Sequence, residues 1–138
     1  MRFEHAVTIQ ASAERVWAVF SDVERWPEWT PTVESVERLD EGPLRPGSRT
    51  RIRQPKLPVA VWEVTRLEEG QYFEWTSTAP GIRTTGGHRV TSTPEGTVAT
   101  ATIVQEGPLG WLFGKLYAGL TRRYIATETE KLKELAER

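Results

Sequence analysis

The sequence predicts an α+β fold in which a curved, seven-stranded antiparallel sheet wraps round a long C-terminal helix, with two short helices between strands 1 and 2. Three observations carry this prediction. Seven short segments have the residue alternation of half-buried strands. Turns rich in glycine and proline separate most of them. The stretch after Pro108 contains no further proline and repeats apolar residues at helical spacing. Because no repeat or linker divides the chain, we expect one domain over residues 1–138.

The first elements are a strand and two short helices. β-forming residues alternate over residues 3–10, which predicts the first strand. Ser12 is a good N-cap for a short helix whose apolar positions end at Phe20. Asp22 is expected to cap a second short helix, which ends near Trp29. The chain then leaves the helical pattern and enters further strand-like segments.

Six more strands are predicted from alternation and from the turns that bound them. They cover residues 32–39, 48–54, 59–67, 71–78, 82–92 and 97–106. Short connections such as Glu69-Gly70 and Pro80-Gly81 require successive strands to pair antiparallel. A meander of this length tends to coil, so one of its faces becomes concave.

The segment from residue 109 to the C-terminus is predicted to be one helix of about 45 Å. Its apolar stripe consists of Leu109, Leu112, Phe113, Leu116, Leu120, Tyr124, Leu132 and Leu135. Since the sequence predicts no other long helix, this stripe is expected to cover the sheet. Thr127 and Glu128 interrupt the stripe. This gap is either a polar part of the buried face that touches a ligand, or the solvated end of a helix that overhangs the sheet.

Strand alternation assigns the two faces of the sheet. One face is apolar and aromatic and is expected to be concave and to face the helix; its residues are Thr50, Ile52, Ala60, Trp62, Val64, Phe73, Trp75, Ser77, Thr84, Gly86, His88, Val90, Ala99, Ala101 and Ile103. The other face is charged and hydroxylated and is expected to be solvated. It contains the row Arg49, Arg51 and Arg53. Glu63 and Glu74 are the expected cross-strand partners of this row.

Composition excludes several functional classes. With 18 basic and 19 acidic residues, the net charge of −1 gives no electrostatic footprint for nucleic acid. The absence of cysteine excludes disulfides, thiol catalysis and thiolate metal sites. The two histidines, His5 and His88, lack clustered carboxylates, so neither a metal nor another cofactor is expected.

The hydropathy of the chain and its first residues predict its localisation. No segment approaches the ~20 apolar residues that a membrane helix requires, and the first residues lack the apolar part of a secretory signal. We therefore expect a cytoplasmic protein without membrane insertion. The expected oligomeric state is a monomer or a weak homodimer.

The region from residue 14 to residue 29 resembles a known family. Its pattern Val16-Trp17, Asp22, Trp26-Pro27 and Trp29 is similar to that of the polyketide cyclase/dehydrase-like family, within the START-like (SRPBCC, helix-grip) superfamily. Later matching pieces are Trp62-Glu63-Val64, Phe73-Glu74-Trp75, Pro80-Gly81, Gly87-His88, Gly96-Thr97 and Gly107-Pro108. The resemblance covers nearly the whole chain and implies a deep apolar cavity between sheet and helix. It leaves the function open, because such proteins include ligand carriers, hormone receptors and aromatase/cyclases.

His88 is the main candidate for chemistry. It lies on the predicted inner face, opposite aromatic residues. Two interpretations stay open: an acid–base group acting on a ketone substrate, or a hydrogen-bonded histidine of the core. His5 is interpreted as structural.

A ligand is expected between the sheet and the C-terminal helix. The predicted ligand-binding residues are Trp29, Trp62, Phe73, Trp75, His88, Ala101, Phe113, Leu116, Tyr117, Leu120 and Tyr124. The first hypothesis is a protein that binds or carries an apolar or aromatic small molecule, such as a lipid or a polyketide-like compound. The second is a metal-free cyclase or dehydratase acting on a poly-ketone through His88. The third is a protein-interaction or stress-response domain with a filled core.

Overall fold

Seven strands form one antiparallel sheet, as the alternation predicted. They are β1 (Arg2–Ile9), β2 (Ser35–Arg38), β3 (Arg49–Arg53), β4 (Ala60–Glu68), β5 (Tyr72–Ala79), β6 (Ile82–Thr93) and β7 (Gly96–Glu106) in a computed structural model that describes residues 1–138. The order across the sheet is β1-β7-β6-β5-β4-β3-β2, so the meander from β2 to β7 is extended by β1. A register shift between Val64 and Arg66 of β4 marks a bulge, a feature that bends a strand and increases its twist.

The second strand is shorter than predicted. Residues 32–34 do not join it, because the chain still turns at Thr30 and Thr32. The Thr30 Oγ1 accepts a hydrogen bond from the Thr32 backbone N–H at 3.3 Å, and the two hydroxyls lie 2.8 Å apart. Such side-chain bonds to the local backbone compete with strand pairing.

Four helices and one 3-10 turn complete the fold. The helices are α1 (Ala13–Phe20), α2 (Trp26–Trp29), α3 (Gly110–Leu116) and α4 (Ala118–Ala136), and the 3-10 turn Val23–Arg25 precedes α2. Ser12 caps α1 as predicted, since its Oγ accepts from the Arg15 N–H at 3.1 Å. Asp22 does not act as the predicted cap; its carboxylate lies 3.5 Å from the Arg25 guanidinium instead. Neither α4, the longest helix, nor any shorter one combines the length and hydrophobicity that a transmembrane span requires.

The two faces of the sheet lie as the alternation predicted. Most inner-face residues from Thr50 to Ala101 are buried, with Phe73 and Ala99 fully inaccessible, whereas Ala60, Ser77 and Thr84 are half-buried. The arginine row points outwards and is exposed. Arg49 pairs across strands with Glu63 at 3.8 Å, which confirms one expected partner.

The expected partnership of Glu74 with the arginine row is wrong. Its carboxylate accepts hydrogen bonds from the Tyr72 and Thr65 hydroxyls, each at 3.0 Å. Glu37, on the neighbouring strand β2, pairs with Arg51 instead. The register of β2 against β3 places Glu37 directly opposite Arg51, whereas β5 lies two strands away from β3.

The predicted single C-terminal helix is wrong in one respect, because it breaks at Tyr117. This residue has φ −101° and ψ 12°, and it separates α3 from α4. The helix α4 packs against β1, β7 and α1. Its buried residues are Ile125, Glu128, Thr129, Leu132 and Ala136.

The apolar stripe of α3 does not cover the sheet as predicted. A Cβ added to Gly110 would lie 3.1 Å from the Gln105 backbone, and one added to Gly114 would lie 2.6 Å from the Met1 side chain. The glycine side of α3 therefore faces the sheet, because only glycine allows so close an approach. Its leucines point away, and Leu116 is 70% exposed.

Candidate functional site

His88 lies in an aromatic enclosure at the centre of the inner face. Its ring stacks on Phe73 with centroids 4.2 Å apart and planes at 12°. The rings of Phe20, Trp26 and Trp75 approach it from other directions at 5.2, 5.4 and 5.5 Å. Helices α1 and α2 supply Phe20 and Trp26, and β5 supplies Phe73 and Trp75, so the short helices close the site from above the sheet.

The hydrogen bond of His88 determines its tautomer. Nδ1 lies 3.2 Å from the Phe73 carbonyl oxygen, which can only accept, so Nδ1 carries the proton. Burial in this apolar enclosure lowers the pKa of His88 from 6.5 to about 3. The imidazole is therefore neutral at pH 7, and Nε2 is left as a hydrogen-bond acceptor.

Glu128 of α4 faces that acceptor. Its Oε1 lies 3.9 Å from His88 Nε2, and its side chain is buried. Burial raises the pKa of Glu128 from 4.5 to about 8, so the carboxyl is mostly protonated at pH 7. Since both partners are neutral, the pair is not a salt bridge. At 3.9 Å they do not share a direct hydrogen bond either.

The Glu128 carboxyl has an unused hydrogen-bonding atom. Oε1 is buried and has no partner within the protein. Leaving a buried polar group unpaired typically costs about 1–3 kcal/mol, so such groups call for a physical explanation. A polar atom of a bound molecule that lay beside the pair, within hydrogen-bonding distance of both Glu128 Oε1 and His88 Nε2, would use both the donor and the acceptor.

The strand register explains how the sheet accommodates large rings at this place. His88 pairs with Phe73 on β5 and with Ala101 on β7, and Trp75 pairs with Gly86. A Cβ on Gly86 would lie 3.2 Å from the Trp75 indole nitrogen. The small residues Gly86 and Ala101 thus leave space for the indole and the imidazole beside them.

The structure brings together some of the predicted ligand-binding residues. Trp62, Phe73, Trp75 and His88 form one contiguous group, with Trp62 and Trp75 centroids 6.0 Å apart. Ala101 is buried in a separate small cluster with Phe3 and Ile125.

The predicted residues on the helices are less buried than those on the sheet. Phe113 stacks on Tyr117 at 6.0 Å, and these two residues, Leu120 and Tyr124 are half-buried. The Tyr124 hydroxyl donates to the Pro55 carbonyl in the β3–β4 connection and thereby links α4 to the far side of the sheet. Leu116 is exposed and is not brought together with the others.

Glu128 is the site residue that the sequence interpretation did not include. It interrupts the predicted apolar stripe, and of the two explanations of this gap, one places Glu128 on the buried face against a ligand and the other places it in a solvated helix end. The structure buries it, which overturns that explanation. A signal was present in the sequence: Ile125, Glu128 and Leu132 are spaced three and four apart, so they share one helix face.

Trp29 lies apart from the aromatic enclosure, in a groove. The groove has a volume of about 800 Å³ and runs between α1, the segment from Asp22 to Pro31, and the last turns of α4. Trp29 also packs edge-on against Trp26 at 6.0 Å, so it connects the groove with the enclosure. Charged side chains of both signs line this groove, unlike the sheet interior.

The family comparison supports the resemblance noted in the sequence. The model of the family described as polyketide cyclase / dehydrase and lipid transport matches residues 1–137. No curated protein matches the chain.

Solved structures with the same fold cover almost the whole chain. The Zhui aromatase/cyclase of Streptomyces sp. R1128 is 22% identical and superposes with a TM-score of 0.76 over 100% of this chain and 94% of its own. A START superfamily protein from Mycobacterium smegmatis is 20% identical, with a TM-score of 0.73 over 97% and 98%. The major latex-like protein 151 of Panax ginseng is 12% identical, with a TM-score of 0.76 over 99% and 97%. At such identities the likeness establishes the START-like, helix-grip fold.

Proposed function

The chain belongs to the polyketide cyclase/dehydrase and lipid transport family, and on that premise we propose that it binds an apolar or aromatic small molecule between the inner face of the sheet and α4. The observation that carries the proposal is the buried Glu128 Oε1, which has no partner within the protein and lies 3.9 Å from His88 Nε2 beside the aromatic enclosure. Aromatic rings would hold the body of the ligand, while the pair would orient one polar atom of it.

The charge pattern of the interior supports a ligand without charge. No lysine or arginine lies among the inner-face residues, since the arginine row faces solvent. The Glu128 carboxyl is a donor and His88 Nε2 an acceptor, a combination that matches a hydroxyl group or a carbonyl with a nearby donor. Burying an anion there would cost much more, because nothing in the interior would neutralise it.

A ligand would enter the interior at one end of the sheet, namely the end that lies beneath α3 and the start of α4. Ser77, Thr84 and Ile103 belong to the inner face but are only half-buried. Tyr117 and Leu120, on the helix side, are half-buried as well. Because neither layer covers the other completely there, this end is where we place the path of a ligand.

Binding is tested by intrinsic tryptophan fluorescence and thermal unfolding with a panel of fatty alcohols, flavonoids and aromatic polyketides. A ligand in the aromatic enclosure is expected to change the emission of Trp26 and Trp75 and to raise the unfolding temperature. Trp75→Phe is expected to weaken binding, whereas Arg51→Ala, on the solvated face, is the matched control and is expected to bind normally. A panel in which no compound changes emission or unfolding temperature would contradict the proposal.

A second candidate function is cyclisation or dehydration of a poly-ketone. The favouring observation is that an acceptor nitrogen and a protonated carboxyl lie 3.9 Å apart in a site secluded from water. His88 Nε2 would take a proton from the carbon between two carbonyls. Glu128 would donate its proton to the carbonyl oxygen that the resulting carbanion attacks, so charge is conserved, and the proton now on His88 Nε2 would then return to the Glu128 carboxylate and restore the neutral pair.

Turnover of a synthetic poly-ketone distinguishes the two functions. If the protein is an enzyme, His88→Ala and Glu128→Gln are each expected to lower kcat by roughly 10²–10⁴-fold. Arg51→Ala again serves as the control, because this substitution on the solvated face is expected to leave folding and turnover unchanged. Binding of the poly-ketone without turnover above the uncatalysed rate would leave the carrier function and exclude the enzymatic one.

A further inference from the structure

Exposed large apolar residues are concentrated on α3 and on the residue that precedes it. Of seven such residues in the chain, four lie between positions 109 and 116, namely Leu109, Trp111, Leu112 and Leu116. The indole of Trp111 is 62% exposed. Single exposed apolar residues are ordinary, but a contiguous group on one short helix marks an interaction surface.

These side chains form one face of the helix. Leu109, Leu112 and Leu116 are spaced three and four residues apart and therefore lie in line, and Trp111 lies beside them. The opposite side carries Gly110 and Gly114, which pack so closely on Gln105 that α3 cannot rotate its leucines inwards. The exposure is thus built into the packing of α3. We call Leu109, Trp111, Leu112 and Leu116 the α3 patch.

The charged residues on α3 and on the first turns of α4 have one sign. Residues 107–127 contain Lys115, Arg122 and Arg123 and no aspartate or glutamate, although the whole chain is slightly acidic. All three basic side chains are exposed, and the Lys115 ammonium lies 5.3 Å from the Trp111 ring centroid. The nearest acidic residue before this stretch is Glu106, at the end of β7.

We propose that the α3 patch docks the protein on the surface of an anionic lipid bilayer, with the indole and leucines among the acyl chains and the basic residues at the headgroups. A short helix with a cationic rim and Trp and Leu on its exposed face matches the interfacial zone of a bilayer. Tryptophan is the side chain that favours this zone most, because its ring is apolar and its N–H is polar.

The docking surface lies beside the proposed entry to the interior. Phe113 of α3 and Tyr117, which directly follows α3, are half-buried, unlike the residues of the patch. A bilayer against the α3 patch would therefore face the end of the sheet where a ligand enters. Docking and internal ligand binding are separate measurements, so either proposal can fail while the other stands.

The test is co-sedimentation of the protein with large vesicles of phosphatidylcholine alone or mixed with phosphatidylglycerol. We expect binding to vesicles that contain phosphatidylglycerol, weakening as salt is raised. Trp111→Ser with Leu116→Ser is expected to lower the partition coefficient by roughly tenfold or more, and Lys115→Gln by roughly fivefold. Quenching of tryptophan emission by brominated lipid is expected in the wild type and lost in Trp111→Phe.

Leu39→Ser with Val59→Ser is the matched control. Leu39 and Val59 are also exposed large apolar residues, at 41% and 43%, but they lie outside the α3 patch. This double variant is expected to bind vesicles like the wild type, and thermal unfolding verifies that every variant is folded. Equal binding by the wild type and the α3 double variant would overturn the proposal, as would equal binding to neutral and anionic vesicles. A dimer in sedimentation velocity that the α3 double variant dissociates, without vesicle binding, would assign the patch to a second copy instead.

Discussion

The chemistry of this protein's interior depends on two side chains that are both uncharged at neutral pH. The Phe73 carbonyl holds the proton of His88 on Nδ1, and the aromatic enclosure lowers its pKa. The same burial raises the pKa of Glu128. Neither group can be ionised there without loss of folding free energy, so the pair links stability to pH.

Replacing Glu128 by Gln is expected to change how stability depends on pH. The pKa of Glu128 rises on folding from 4.5 to about 8, so the folded state binds the extra proton and stability falls as pH increases through this interval. The pKa of His88 falls on folding from 6.5 to about 3, so its contribution rises with pH between those values. Between pH 4.5 and pH 6.5 the two effects on stability oppose each other. Above pH 6.5 only Glu128 still changes stability, which therefore falls as the pH rises.

Urea unfolding between pH 5 and pH 8 measures this difference. Wild-type stability is expected to decline between pH 6.5 and pH 8, whereas Glu128→Gln is expected to be nearly flat there and to be the more stable protein at pH 8. The control is Glu130→Gln, because Glu130 lies two residues further along α4 and is exposed. Parallel curves for the wild type and Glu128→Gln would show that Glu128 is ionised in the folded protein.

The uncharged interior also predicts selection among ligands. For two naphthalenes substituted at the same ring position, 2-naphthol is expected to bind at least roughly tenfold more tightly than 2-naphthoate at pH 7, because a buried carboxylate would find no cation. Fluorescence titration gives both dissociation constants. Naphthoate binding as tightly as naphthol would contradict the assignment of Glu128 and His88 to the ligand's polar atom.

Among the secondary-structure elements, strands were more predictable than helices. Alternation revealed the inner and outer faces correctly from Thr50 to Ala101, because one face of this sheet meets the core and the other meets solvent. The end of the fold at α3 was not predictable in this way. Apolar periodicity predicts that the leucine side of a helix faces the sheet. In α3 the glycine side faces the sheet instead, because the backbone of the helix packs closely on it.

A site residue could be predicted only where the orientation of its strand or helix could be predicted. His88 could be placed on the inner face because the phase of β6 follows from its neighbours. For Glu128 two placements stayed open, since its burial depends on the rotation of α4, which the break at Tyr117 makes independent of α3. A carboxylate within an apolar stripe also predicts a solvated residue by default, because charges are rarely buried without partners.

The different surroundings of two helical glycines predict opposite effects of the same substitution. Gly119, at the start of α4, has no neighbour within 4 Å of an added Cβ, so Gly119→Ala is expected to stabilise the protein by about 0.4–1 kcal/mol. Gly110 meets the Gln105 backbone at 3.1 Å, so Gly110→Ala is expected to destabilise it by about 1–3 kcal/mol. Thermal unfolding of the two variants side by side checks this, and a stabilising Gly110→Ala would show that α3 is not tightly packed on β7.

Across the molecule, the sheet and the helices contribute to one aromatic interior. Residues of α1, α2, β4 and β5 surround the inner face near His88, and α4 closes it with the Glu128 carboxyl. The outer face of the sheet and the groove beside Trp29 carry the charges. This separation of an uncharged interior from a charged exterior is what suits the fold to an apolar guest.

A crystal structure with 6-bromo-2-naphthol, phased on bromine anomalous scattering, would locate such a guest. We expect one bromine peak between the inner face of the sheet and α4, with the naphthol oxygen within hydrogen-bonding distance of Glu128 or of His88 Nε2. Peaks confined to the groove beside Trp29 or to the α3 patch, with the aromatic interior unchanged, would contradict ligand binding between sheet and helix.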